Sequence, residues 1–280
     1  MTFLEQFEAP IRLGVFAGVF ILMASLEAIF PRKARVQTRG RRWLTNWTLV
    51  IIDTAALRIF VPVLAVGMAN IAAQNGWGLF NLLSGPAWLK VLLAIALLDL
   101  AVYAQHVASH RIPILWRFHK VHHADRDIDV TTGARFHPAE IVFSMGYKLA
   151  CVVLLGAPAI AVFLFEIMLN ASAMFNHSNV RLPSTVDRLV RLVVITPDMH
   201  RVHHAVHMRE TNSNYGFFLS AWDKLFGTYI DQPKDGHDAM AIGLAEHQDE
   251  KPASLLWSLL LPFRPVKSAP AQTRRAEASR

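Results

Sequence analysis

The chain has 280 residues, 53% of them hydrophobic, and a formal net charge of +7. Apolar runs of membrane-spanning length exclude an ordinary soluble domain and mark an integral membrane protein. The single cysteine, Cys151, excludes a disulfide framework and a thiolate metal site. The basic residues sit beside apolar runs rather than among aromatics on a soluble face, which favours anionic lipid and excludes nucleic acid as a partner.

Residues 11–30 form the first predicted membrane helix, ended by Pro31. A secretory signal would carry a basic leader. This run has Glu5 and Glu8 ahead of it and Arg32, Lys33, Arg35, Arg39, Arg41 and Arg42 behind it. It therefore reads as a retained anchor whose C-terminal flank is cytoplasmic. Residues 44–68 form the second helix, interrupted by Asp53 and Arg58, which are expected to neutralise one another, and open to a kink at Pro62. Residues 70–86 lack charge and hold several Gly and Asn, as a short loop on the far side would. The third helix, 88–103, runs straight into His106.

The polar stretch 106–140 cannot sit in lipid. Residues 141–173 are apolar again but longer than one span, and Gly156 and Pro158 divide them. That pattern predicts a helical hairpin returning to the face it entered, each half shorter than the roughly 20 residues of a full crossing. Counting crossings puts 70–86 outside and 106–140, with His177, inside. From there to about residue 250 the chain is soluble-like; residues 254–261 suit the membrane surface, and a basic, disordered tail begins at Arg264. The fold class is all-α: an integral membrane bundle of about three spanning helices plus a hairpin, under a cytoplasmic, histidine-rich helical cap. Three regions follow: membrane helices 1–98, a histidine-bearing domain 99–250 containing the hairpin 141–173, and an interfacial segment with its tail, 251–280.

Chemistry concentrates in the histidines. His-x-x-His-His occurs twice, as His119, His122, His123 and as His200, His203, His204; His106 and His110 precede the first copy, and His177 stands alone between them. Residues three and four apart share a helical face, so each cluster aims its imidazoles at one point. Nine candidate nitrogens exceed the needs of one tetrahedral zinc, and two metal ions in one cage is the natural reading. The chain has no His-Glu-x-x-His for a zinc protease and no Glu-x-x-His pair for a carboxylate-bridged soluble centre. A bis-histidine haem would need axial ligands deep in lipid, whereas these clusters flank polar loops. An all-nitrogen di-metal centre at the membrane surface remains, with iron the metal suited to oxygen.

The stretches DLAVYAQHVASHRIPILWRFHKVHHADRDIDVTTGARFHPAE, NHSN and TPDMHRVHHAVHMRETNSNYGFFLSAWDKLFGTY resemble the fatty acid hydroxylase / sterol desaturase superfamily, over residues 99–229. The last block is also similar to the alkylglycerol monooxygenase branch. The resemblance implies a non-haem di-iron centre with two Fe ions per chain, O2 as co-substrate, and hydroxylation or desaturation of a lipid carbon–hydrogen bond. Residues 99–250 would be the catalytic domain. The implied ligands are His106, His110, His119, His122, His123, His177, His200, His203 and His204. Some relatives place another histidine four residues before the lone one; here that position is Ala173, so a carboxylate, water or Asn176 would stand in, or the site runs one ligand short. The first motif also carries Arg111 after its second histidine, where many relatives put Arg directly after the first. No haem domain, ferredoxin motif or nucleotide-binding glycine loop occurs, so an external ferredoxin, cytochrome or reductase would supply electrons. Two other classes compete: a membrane metal-binding or transport protein, and a zinc-dependent membrane hydrolase.

Around the ligands, Asp99 is a candidate to accept a hydrogen bond from a ligand imidazole. Glu140, Asp198 and Asp223 are weaker candidates for the same role. His137, ahead of a proline, is expected to line the site; His207 would lie on the face of His200 and His203 if their helix continues, in a supporting or surface role rather than as a ligand. Residues 214–229 read as an amphipathic helix closing the cage.

Overall fold

The computed structural model describes residues 3–264; the tail expected beyond Arg264 lies outside the described residues. The helices run α1 (Phe3–Ile29), α2 (Arg39–Phe60), α3 (Ala65–Gln74), α4 (Leu79–Leu82), α5 (Ala87–Arg111), α6 (Pro113–His123), α7 (Pro138–Leu155), α8 (Ala159–Asn176), α9 (Ser184–Val190), α10 (Pro197–His203), α11 (Met208–Thr211), α12 (Ala221–Leu225), α13 (Gly236–Ala239) and α14 (Leu255–Leu260). Among the described residues there is no strand, only isolated bridges. Five helical segments are long and apolar enough to cross a membrane: Phe7–Ile29, Arg39–Leu82, Ala87–Arg111, Pro138–Leu155 and Ala159–Asn176. The protein is an all-helical integral membrane protein.

Local chemistry sets the boundaries near the histidines. Pro113, Pro138 and Pro197 open α6, α7 and α10, where the missing N–H costs nothing. His137 caps α7 by accepting from the Ala139 N–H, and Thr196 caps α10 through Met199. The hairpin of α7 and α8 turns at Gly156, a left-handed helix cap. Its tip is pressed against the loop at Gly78: a Cβ on Gly78 would lie 2.1 Å from the Gly156 nitrogen. The hairpin therefore reaches the loop that joins α3 to α4, at the end of the bundle opposite His106. Helix α7 packs on α2, α3 and α5, and α8 on α1, α3 and α5, while the two arms barely touch one another. An apolar core of Ala65, Ala69, Ala94, Leu98, Val152 and Ala161 fills the space they share with α3 and α5.

Three expectations about the spans change. The second helix is not merely kinked at Pro62. It is broken over residues 61–64 into α2 and α3, because proline removes a backbone donor and restricts the residue before it. Residues 70–86 are not a plain loop; α3 extends to Gln74 and α4 adds a further turn. Asp53 and Arg58 form no ion pair. Five residues turn a helix by about 140° past a full revolution, so Asp53 is buried with one oxygen unpartnered while Arg58 is exposed.

The cap is tied to the bundle by buried arginines. Arg42, fully buried, grips Asp125 at 2.6 and 2.8 Å and Asp129 at 2.7 Å. Arg135, also fully buried, donates to the carbonyls of Val121 and Pro252, to Asn46 Oδ1 and to Ser258 Oγ at 2.7–2.9 Å. Arg42 is thus an internal staple as well as part of the basic loop. Burial alone would raise Asp125, but the Arg42 guanidinium overrides it and holds the carboxyl at about 2.

Candidate metal centre

The nine histidines converge from four helices and form two groups. His106, His110, His119, His123 and His203 make one; His122, His177, His200 and His204 make the other, and ligand atoms within each group lie within 4.8 Å of one another. The assignment follows helix geometry. In each His-x-x-His-His copy the pair four apart differs by about 40° of rotation and stays together, while the middle histidine turns about 60° the other way. His119 and His123 therefore stay in one group and His122 crosses to the other; His200 and His204 stay together and His203 crosses back. The pair His106/His110 completes the first group. Its counterpart in the second is His177 with Ala173 one turn earlier, which is why that group has one imidazole fewer.

Ring orientation is set from outside. Carbonyl and carboxylate oxygens can only accept, so each fixes a proton on the Nδ1 that faces it. Such contacts run from His106 to Tyr215 O (2.7 Å), His122 to Arg135 O (3.2 Å), His177 to Ala173 O (2.7 Å), His203 to Ser213 O (2.7 Å) and His119 to Glu140 Oε1 (2.6 Å). Each of these five rings is left with its Nε2 lone pair inside the cage. The inward Nε2 atoms of His106, His119, His123 and His203 have no partner, and neither has either nitrogen of His110 or His204.

His122 and His177 give the sharpest test of fit. Both spend their proton on a carbonyl, yet their Nε2 atoms face each other at 3.1 Å, and His200 Nε2 lies 3.0 Å from His177 Nε2. Lone pairs so placed repel unless a cation sits among them. With metal–nitrogen bonds of about 2.0–2.1 Å, opposite ligands of one ion lie about 4 Å apart, which the spacing of each group accommodates. Burial lowers His177 to about 4 and His203 to about 3, the latter despite the Ser213 carbonyl, and holds His122, His123, His200 and His204 well below the ordinary histidine value. Neutral imidazole is the form that binds metal.

Beside the cage lies a cavity of about 220 Å³ whose wall includes His106, His119, Glu140, Ala173 and Phe217. It follows the inner face of α7, along Glu140, Ser144 and Lys148, into the gap between the hairpin arms.

The surrounding candidates fall out unevenly. Glu140 holds the His119 ring directly. Asp99 does not: its Oδ2 accepts from Leu219 N (3.1 Å) and Trp222 Nε1 (2.8 Å), anchoring the segment that follows the cage. Asp223 accepts from the N–H groups of Tyr215 and Gly216, both at 2.8 Å, and so positions the carbonyl that meets His106. Asp198 pairs with Arg32 and Arg201 instead. Asn176 donates to Phe217 O at 2.9 Å and keeps a buried Oδ1 unpartnered. His137 is spent on capping α7 and packs between Phe118 and Phe263, outside the cavity wall. His207 does not share the face of His200, because α10 stops at His203; it is half-buried and bonds Asp235.

Residues 214–229 are not one amphipathic helix; only Ala221–Leu225 is helical. A helix would consume the carbonyls of Ser213 and Tyr215 in its own ladder, whereas here they hold His203 and His106. Sequence reading also missed Arg135, whose carbonyl orients His122, and the charged residues Lys148 and Glu166 inside the apolar hairpin. The latter carried a readable signal, since ionisable groups within a span are rarely idle.

Helices of spanning length carry two buried, convergent histidine groups with the donor set of a metal centre. Residues 91–228 match the model of the fatty acid hydroxylase family. An ornithine lipid hydroxylase from Rhizobium tropici is 33% identical over 226 residues, covering 79% of this chain and 67% of that protein. A cholesterol 25-hydroxylase-like protein from Danio rerio is 25% identical over 80% of the chain and 94% of its own length. Human alkylglycerol monooxygenase is 29% identical over 55% of the chain, which spans 34% of that protein. No solved structure matches. The chain belongs to the fatty acid hydroxylase family, and it is an oxidoreductase of the hydroxylase and monooxygenase kind.

Proposed function

We propose that this protein is a non-haem di-iron oxygenase that hydroxylates a membrane lipid, with O2 as co-substrate and electrons from a separate ferredoxin, cytochrome or reductase. The observation that carries it is the pair of buried histidine groups, five and four imidazoles, whose ligand atoms lie within 4.8 Å of one another in each group. Five nitrogens exceed the tetrahedral preference of structural zinc, and the absence of carboxylate or thiolate from either group suits iron held by imidazole alone. Bound iron would supply the oxygen activation and the oxidising power. The hydroxylase and monooxygenase names of the relatives favour hydroxylation over desaturation.

The chain's own residues do the rest. Glu140 and the carbonyls of Tyr215, Arg135, Ala173 and Ser213 lock the imidazoles in the binding tautomer. The apolar wall of the cavity orients a lipid segment against the histidine end and keeps water away. Ala173, one turn from His177 and on the cavity wall, leaves room beside the four-histidine group on the substrate's side. The basic flank of α1 supports a cytoplasmic location for the cage, where soluble electron donors have access.

Anaerobically purified protein should carry about two irons per chain. His203→Ala and His122→Ala, one from each group, should each lose metal and all oxygenase activity while membrane insertion persists. His207→Ala should keep both irons. One tightly held zinc, with turnover indifferent to oxygen, would sink the di-iron reading. Comparing the lipids of cells with and without the protein then names the substrate by the class that gains one oxygen atom.

A further inference from the structure

The two arms of the hairpin barely touch, yet an ion pair bridges them inside the membrane. Lys148 on α7 donates to Glu166 Oε1 at 2.8 Å, and Arg12 on α1 donates to Glu166 Oε2 at 2.6 Å. Arg12 also pairs with Glu8 at 2.9 Å. Packing α7 on α2 and α8 on α1 does not require charge at this depth, and burying it is costly. Lys148 also lines the cavity, as does Asn170, one turn from Glu166 toward the cage.

The cavity therefore has two chemically distinct ends. At one stand His106, His119 and Glu140; at the other, Lys148 and Asn170; between them the wall is mainly apolar. Glu140 and Lys148 are two helical turns apart on one face, about 12 Å along the axis. Lys148 has three donors, of which Glu166 takes one. The cluster is balanced, with Arg12 and Lys148 against Glu8 and Glu166. A full anion or cation entering here would unbalance it, whereas an uncharged oxygen finds ready donors.

Resting on the oxygenase reading above, we propose that Lys148 and Asn170 are the substrate-recognition point of the cavity. They bind an uncharged hydrogen-bonding group of the lipid, a hydroxyl or an ester or amide carbonyl. The lipid is then held so that a carbon about 12 Å away lies at the histidine end. Lys148 acts as a ruler: it selects which carbon meets the cage and touches no metal ligand.

The test uses iron-loaded protein in bilayer nanodiscs and three photoreactive probes with the same chain, each carrying a diazirine at its far end: a primary alcohol, a carboxylate and a plain alkane. Crosslinks are mapped by mass spectrometry, and iron content is measured on the same samples. The alcohol should label the cage end of the cavity, around Glu140 and Phe217, about tenfold more than the alkane or the carboxylate, the worth of one hydrogen bond to a charged donor. Lys148→Met should erase that preference without changing iron content. Equal labelling by alcohol and alkane in the unmodified protein, a comparison that needs no variant to fold, would overturn the proposal. So would a preference that survives in Lys148→Met. Because labelling needs no turnover, a protein that selects the alcohol but holds no iron would separate failure of the oxygenase reading from failure of the ruler.

Discussion

Gly133 bears on the metal centre although its own backbone is unremarkable. It lies where α8 passes the cap, and a Cβ there would stand 2.6 Å from the Ala173 carbonyl oxygen, 2.9 Å from its carbon and 3.3 Å from His177 Nδ1. That carbonyl accepts both the His177 N–H, at 3.2 Å, and the ring Nδ1, at 2.7 Å. Gly133→Ala must therefore push the one group that aims His177, by about 0.8 Å to regain ordinary van der Waals separation. Metal-binding side chains tolerate about 0.5 Å, and overpacking of this kind costs about 1–3 kcal/mol. The expected outcome is a five- to hundredfold fall (roughly) in the affinity of the four-histidine group, with the five-histidine group little changed. Metal content per chain under chelator competition measures it. Gly146→Ala is the control: nothing lies within 4 Å of its Cβ, and within α7 alanine should stabilise by about 0.5–1 kcal/mol. A Gly133→Ala protein with full metal at unaltered affinity would refute the argument.

Glu140→Gln replaces the charged partner of His119 with a neutral one, and metal affinity of the five-histidine group should fall about 10- to 100-fold; unchanged affinity would remove Glu140 from the centre. The metal-free protein should lose stability in acid. Histidines of the unfolded chain take protons near pH 6.5, while folded His177 and His203 refuse them until about pH 4 and 3. Stability is then flat above pH 6.5 and falls as pH drops below it. His177 alone contributes about 2 kcal/mol of loss by pH 5, at about 1.4 kcal/mol per unit. Denaturant titrations at pH 7.5 and 5 of equal midpoint would contradict this.

The cage was legible because its period is local: His119 and His123, or His200 and His204, announce a shared face without any tertiary knowledge. Its division was not, since the crossing of His122 and His203 depends on how α6 and α10 meet. The hairpin could be read from Gly156 and Pro158, which act on their own backbone. The break after Phe60 was only half visible, because a single proline leaves kink and rupture equally open until neighbours pack. Asp99 and His207 lie at a helical distance from a candidate ligand, but helix ends and competing partners, Trp222 and Asp235, decide where a side chain turns. His137, ahead of Pro138, caps α7 through Ala139 instead of lining the site. The carbonyls that orient the rings are invisible in any sequence, since every residue has one.

The crossing of the middle histidines also bears on how the centre is made. When residue 123 has been synthesised, five of the nine imidazoles exist, but one of them, His122, belongs to the other group. The five-histidine group is complete only at His203 and the four-histidine group only at His204, and the carbonyls of Ser213 and Tyr215 that orient His203 and His106 come later still, the latter 109 residues from its ring. Copper and zinc outcompete ferrous iron for loose nitrogen ligands. On the di-iron reading, a nascent chain would offer such metals only incomplete sets, and both groups would be finished only when the second copy is made. Interlacing the two copies would then place selectivity in the timing of assembly as well as in the ligands.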